Sequence, residues 1–300
     1  MRKLLLAACL FSFLLSGAQK KNTGKPATTD ADSIFLAKTK YRLIGPWRGG
    51  RSAAAVGSYK NRNTFYFGAT GGGVWKTSDA GSNWKNISDK YFGSSIGAVA
   101  VAPSDENILY VGEGENTMRG NVSEGLNGMW RSDDAGRTWK NIGLKEGRHI
   151  IRIVIHPRDP NTVWAAVMGH LFGPNEERGV YKSTDGGKTW KRTLFVNNQT
   201  GASDLVMEPG NPGVLYAGTW RVIRTPYSLE SGGAGSGLWK SIDGGETWTN
   251  ITAKKGLPKG VWGIVGVAVA PSNVRARHSQ HPVVAARHGV SRDQRAWRQR

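Results

Sequence analysis

One twelve-residue pattern occurs four times in this chain, and it restricts the fold more than any other feature. The copies are GVWKTSDAGSNW at 73–84, GMWRSDDAGRTW at 128–139, GVYKSTDGGKTW at 179–190 and GLWKSIDGGETW at 237–248. Their central aspartates, Asp79, Asp134, Asp185 and Asp243, follow one another at steps of 55, 51 and 58 residues. A second pattern falls between them: apolar stretches closed by proline at 96–103, 151–157, 202–209 and 264–271. Each of the first three is followed by a polar turn and a short apolar run, at 108–111, 163–166 and 214–217. Every unit therefore holds four strands: a buried one, a second, one ending in the box, and one beginning at the box tryptophan. Four antiparallel strands recurring about every 50 residues make one blade of a β-propeller, so the expected fold class is all-β.

The box has a mechanical reading. Its aspartate accepts hydrogen bonds from backbone N–H groups across a tight hairpin. Its glycine takes a backbone angle closed to other residues, and Trp84, Trp139, Trp190 and Trp248 are placed to pack between blades. An aspartate that recurs in the same turn of every repeat reads as structural rather than catalytic.

These boxes resemble those of the BNR or Asp-box repeat family, and residues 41–271 are most similar to its sortilin-like secreted bacterial propellers, often labelled glycosyl hydrolase. The resemblance implies a secreted propeller that binds a peptide or a glycan through its loop rim. The alternative it implies is a glycoside hydrolase, sialidase- or xyloglucanase-like, acting on extracellular polysaccharide with part of its catalytic site missing from this chain. A structural partner in an envelope complex is a third reading.

In such a meander the box turns point one way and the loops between second and third strands point the other. Those loops vary in length, from 69–73 to 112–128, 168–179 and 218–237. Variable loops on a rigid scaffold are where binding concentrates. The candidate ligand-binding rim is therefore Trp47, Arg48, Arg51, Glu113, Glu115, Arg119, His170, Trp220, Arg221 and Arg224, with Glu176, Glu177, Arg178 and Tyr227 nearby. Arginine and aromatic side chains suit carboxylates and sugar faces. A solvated rim with local salt bridges is the competing account of any one of them.

A complete catalytic set is not legible. Where xyloglucanase-like enzymes carry a catalytic aspartate upstream of 72–75, this chain has Thr70, which cannot serve as a general acid or base. The stretch Tyr41–Pro46 only faintly resembles the sialidase opening. Glu113 or Glu115 with Glu176 or Glu177 is the carboxylate pair that remains. No cofactor or metal is expected: His149, His156 and His170 lack zinc spacing, and Gly71–Gly73 lies between strands rather than at a helix start.

The first residues, Met1-Arg2-Lys3, an apolar run to Leu15 and Ser16-Gly17-Ala18, read as a signal peptide cleaved after Ala18. A lipoprotein box at Leu6–Cys9 would leave five residues ahead of it, too few for its apolar region. The apolar run is too short to span a membrane, so the expected location is secreted or periplasmic. Cys9 is the sole cysteine and departs with the signal. Residues 19–40 read as a flexible linker.

The formal net charge of +19 includes seven Arg against one Asp in residues 274–300 and does not amount to a nucleic-acid surface. That stretch has no Lys, Ile, Leu, Phe or Tyr, whereas the repeat calls for a strand. Residues 272–300 therefore read as a change of reading frame, with a basic disordered tail as the alternative. Four boxes and the start of a fifth unit fall short of a closed ring, so further blades are expected. The oligomeric state is not legible.

Overall fold

The structure is a computed structural model of the 300-residue chain and describes residues 51–116 and 121–270. The expected signal peptide, the linker, Trp47, Arg48, Arg119 and the 272–300 tail lie outside the described residues.

Four antiparallel meanders follow one another. Blade one is β1 (Ser52–Gly57), β2 (Phe65–Ala69), β3 (Val74–Thr77) and β4 (Lys85–Asn86). Blade two is β5 (Ile96–Val101), β6 (Leu109–Glu113), β7 (Met129–Ser132) and β8 (Lys140–Asn141). Blade three is β9 (Ile150–Ile155), β10 (Val163–Val167), β11 (Gly179–Ser183) and β12 (Lys191–Leu194). Blade four is β13 (Thr200–Glu208), β14 (Asn211–Arg224), β16 (Gly237–Ser241) and β17 (Thr249–Asn250), with β15 (Leu229–Ser231) as an extra strand on β14. Each strand hydrogen-bonds to the next in sequence within its blade, except that β15 pairs only with β14, which pairs directly with β16. This is the expected all-β propeller architecture.

The sequence pattern explains the layering. First strands lie side by side, and β5 and β6 are buried along their whole length. Strands covered on both faces read as continuous apolar runs rather than alternation. Fourth strands form the outer edge, where β8 and β17 are two exposed residues each and short edges limit unwanted pairing. The core lies between blades: Tyr66 and Val74 of blade one pack with Ile96, Leu109 and Trp139 of blade two. Blades approach so closely there that a Cβ on Gly112 would sit 2.5 Å from the Ile150 side chain of the next blade.

The box turns repeat almost atom for atom. In blade three, Ser183 Oγ and the Thr189 backbone N–H donate to Asp185 Oδ1 at 2.8 and 2.9 Å, and Thr189 Oγ1 donates to Oδ2 at 2.6 Å. Blades two and four use the same donors, and in blade one Thr77 and Asn83 take the places of Ser and Thr. The box turn is also tied to the turn between first and second strands, by Ala80, Ala135, Gly186 and Gly244 N–H groups on the carbonyls of Asn63, Asn107, Asn161 and Gly213. Two successive residues hold positive φ in each box, and in blades one and two the first of them is alanine, at 57° and 58°. The left-handed requirement thus covers two positions, not only the glycine.

These hydrogen bonds have a pH consequence. They hold Asp79 and Asp134 down at about 2 and push Asp185 and Asp243 lower still; the Asn83 amide leads at Asp79, the Thr hydroxyl at Asp185 and Asp243, while at Asp134 burial opposes the Thr138 and Ser132 donors. Free aspartate titrates near pH ~3.9. A depressed folded pKa contributes stability above the unfolded value, lost as pH falls through the folded one. The boxes' contribution to the urea midpoint is therefore expected to be constant above about pH 5 and to drop between about pH 4 and 2. An unchanged midpoint down to pH 2 would contradict this account.

Two elements differ from expectation. The short strand expected at 214–217 is a 14-residue β14, so the loop expected over 218–237 is largely strand and a turn, with β15 folding back on it. The stretch 264–271 is not a strand among the described residues. It still lies along β13, where Ser203 Oγ donates to Val265 O and Val267 N–H donates to Asp204 Oδ2, but no second strand follows to pair with it among the described residues.

Candidate functional site

The loops between second and third strands gather on the face opposite the boxes and interlock across blades one to three. Arg51, at the start of blade one, clamps Glu115 of blade two through Nε and Nη2 at 2.7 and 3.0 Å. Glu115 is fully buried and also accepts the Ser123 N–H. Glu113 is buried too. Its two oxygens take the Leu126 and Asn127 N–H groups and the Trp130 indole N–H, at 2.7 to 3.0 Å. Both glutamates therefore bind residues of the 123–130 stretch instead of facing solvent. To reach a ligand, or to pair with Glu176 or Glu177, either glutamate would have to give up these donors.

Trp220 is also turned inward, 3 % exposed with its indole N–H on Ser231 Oγ, so it serves the core of blade four. Arg221 bonds Glu230 and Gln199, and Arg224 donates to the Ser228 carbonyl. His170 does reach the surface. Thr70 sits half-buried just past β2, its hydroxyl oxygen covered and its N–H on the Arg51 carbonyl.

Arg178 is the least expected member. Its side chain is fully buried, with Nη1 donating to the Gln199 and Val222 carbonyls and Nη2 to those of His170 and Gly173. Burial pushes its pKa down to about 10, so it remains charged at neutral pH. The guanidinium pins the 168–178 loop to the connection into blade four. The sequence places it on the rim; the N–H donors of its two terminal nitrogens suit this bracing role instead, while Nε is left without a partner.

Beside the clamp lies a group that sequence spacing did not join. Glu124 comes from the 114–128 loop, His149 from the connection into β9, and His170 from the 168–178 loop. Glu124 Oε1 is 2.5 Å from His170 Nδ1 and 4.0 Å from His149 Nε2. His149 is fully buried, which lowers its pKa, and its Nδ1 lies 2.8 Å from the Glu115 carbonyl.

Several aromatic and apolar side chains of the loops and connections are exposed. Phe172 is 40 % and Tyr227 87 % exposed, with Leu126 and Val261 also outward. Phe172 meets His170 edge-on, ring centroids 6.1 Å apart. Along the inner strands runs a trough of about 970 Å³, lined by Ala53–Val56, Gly97–Val101 and Ile151–Ile155 and crossed by the Arg152–Asp204 ion pair at 2.9 Å.

Comparison with known proteins fits this geometry. Residues 127–273 match the family model described as "Sortilin, neurotensin receptor 3". A xyloglucanase of Paenibacillus sp is 24% identical over 261 residues, covering 80% of this chain and 24% of the relative. A xyloglucanase of Hypocrea jecorina (strain QM6a) is 24% identical over 226 residues, covering 66% and 25%. The chain thus spans about a quarter of the length of these curated relatives. Among solved structures, an ancestral GH74 enzyme superposes with a TM-score of 0.59 at 23% identity, covering 78% of this chain and 28% of that one. The GH74 enzyme of Niastella koreensis gives 0.54 at 23% identity, covering 74% and 32%. At these identities the structural matches establish the propeller fold.

Proposed function

We propose that this chain, an Asp-box propeller of the sortilin-like type, is exported and engages an extracellular polysaccharide of the β-glucan kind through its loop rim. The observation that carries the reading is the pair of outward aromatic rings, Phe172 and Tyr227, on the face of the interlocked loops. Such rings stack on sugar faces with little loss of side-chain freedom. The xyloglucanase relatives favour a xylose-branched glucan over a peptide. In a longer protein of this kind the described residues supply binding walls, and a hydrolytic acid/base pair draws on carboxylates other than Glu113 and Glu115.

Affinity electrophoresis in gels containing xyloglucan, with reducing-sugar release measured in parallel, tests this. Retardation of the full chain is expected, with Phe172→Ala and Tyr227→Ala each weakening it by about fivefold, about 1 kcal/mol. Unretarded migration overturns the reading. Retardation that both variants retain in full moves the glycan away from this rim.

A further inference from the structure

We propose that the groove between the first two boxes binds the carboxylate of an acidic sugar, with Lys76, Lys85 and Arg137 as its counter-charges. The groove has a volume of about 580 Å³. Lys76, Lys85, Lys90 and Arg137 line it, with Asp89 as the one acid and Tyr91 as the one aromatic ring.

The other blades show what the same place holds elsewhere. In blade three, Lys182 after the box aromatic and Lys191 after the box tryptophan are both bridged by Glu246, from the box of blade four, at 2.7 and 2.8 Å. In blade two the equivalent cations are Arg131 and Lys140, and Asp133 stands 2.7 and 3.9 Å from them. In blade one they are Lys76 and Lys85, directly opposite each other on β3 and β4. There Arg137 takes the position of Glu246, and Ser78 that of Asp133. Among the described residues no ion pair involves Lys76, Lys85, Lys90 or Arg137.

Like charges directly opposite on neighbouring strands repel, and here a third cation faces them where blade four supplies a carboxylate. Lys76 is half-buried, and its ammonium donates to the Ala135 carbonyl at 3.2 Å. Burial first, and the Arg137 charge second, lower its pKa below the ordinary lysine value, against the pull of Glu106. Glu106 does not fill the gap, because it already accepts the Ser58 hydroxyl and the Lys60 N–H. The groove thus lacks one anion that the repeat elsewhere provides.

An arginine fork beside ammonium groups suits a carboxylate. The volume is far more than a single small ion needs, and the Tyr91 ring, 38 % exposed, offers a face for the sugar that carries the charge. The site lies at the box end, away from the loop rim, so it stands or falls separately from the binding of a neutral glucan there.

Calorimetric titration of the full chain with a galacturonate trisaccharide tests this, run beside its methyl ester and inorganic phosphate. Saturable binding of the acid is expected, with a Kd at or below about 1 mM, and the ester and phosphate are expected to bind at least about tenfold more weakly. Arg137→Glu installs the carboxylate that blade four carries at Glu246. This variant is expected to melt at or above the parent and to weaken binding of the acid by more than about tenfold. Lys188→Glu makes the same kind of charge reversal at the equivalent position of the third box, and is expected to bind within about twofold of the parent. No uptake of the acid by the parent rejects the proposal. An ester that binds as tightly as the acid also rejects it, and phosphate that binds more tightly than the sugar reduces the groove to an adventitious anion site. Equal losses in Arg137→Glu and Lys188→Glu would reveal diffuse attraction to a basic chain and sink the assignment to this groove.

Discussion

Arg178→Met is expected to lower the unfolding free energy by about 3–5 kcal/mol, among the largest effects of any single change in the rim. Methionine fills the aliphatic part of the space but leaves the carbonyls of His170, Gly173, Gln199 and Val222 without the donors they now have. An unsatisfied buried acceptor costs about 1–3 kcal/mol, and water entering the loop recovers part of the sum. Arg178→Lys recovers less than half, because one ammonium cannot serve four acceptors spread around a planar fork. Urea unfolding followed by tryptophan fluorescence measures both. A change below about 1 kcal/mol for the methionine variant would falsify the bracing role.

Trp139→Ala is the second large effect, also about 3–5 kcal/mol, the usual cost of emptying a buried tryptophan site. Its ring is 5 % exposed, meets Phe92 edge-on at a centroid distance of 5.4 Å, and donates its indole N–H to the Ile87 carbonyl of the preceding blade at 2.9 Å. Trp190 repeats this on Ile142, and Trp248 bonds Thr193. Trp84 is different: it is 39 % exposed and packs edge-on against Phe67 of its own blade. Trp84→Ala is therefore expected to cost less than half as much. Equal losses for the two variants would mean that the box tryptophan stabilises its own hairpin and not the interface between blades.

Much of this architecture was written into the repeats. The box spacing gave four blades, and the apolar runs gave the first and second strands because residues covered on both faces must all be apolar. The role of the box aspartates followed from their repetition. Even the basic residue after the box aromatic has a repeated job. Lys76, Arg131, Lys182 and Lys240 lie over Tyr66, Tyr110, Trp164 and Tyr216, their cross-strand partners, at 5.4 to 5.5 Å.

The rim was legible only as a place. Its loops were bounded by the repeats, but their side chains follow no period, so nothing in the sequence distinguished an outward Phe172 from an inward Trp220. Glu113 and Glu115 looked like free carboxylates because the donors that consume them, Arg51, Leu126 and Trp130, lie elsewhere along the chain.

What the sequence by itself determined is most of what one blade decides for itself: the order of its four main strands, the donors of the box turn and the apolar inner runs, though not the length of β14 or the second positive-φ position of the box. Those features depend on neighbours a few residues away, and a period of about 50 residues repeats them four times. The tertiary structure alone decided what happens where blades meet. It turned Arg178 from a rim candidate into a buried brace, and it brought Glu124 and His170 of two loops to His149 of a third segment. Those contacts join residues far apart in sequence through loops of unequal length, and only the stacking of blades fixes the distance between them.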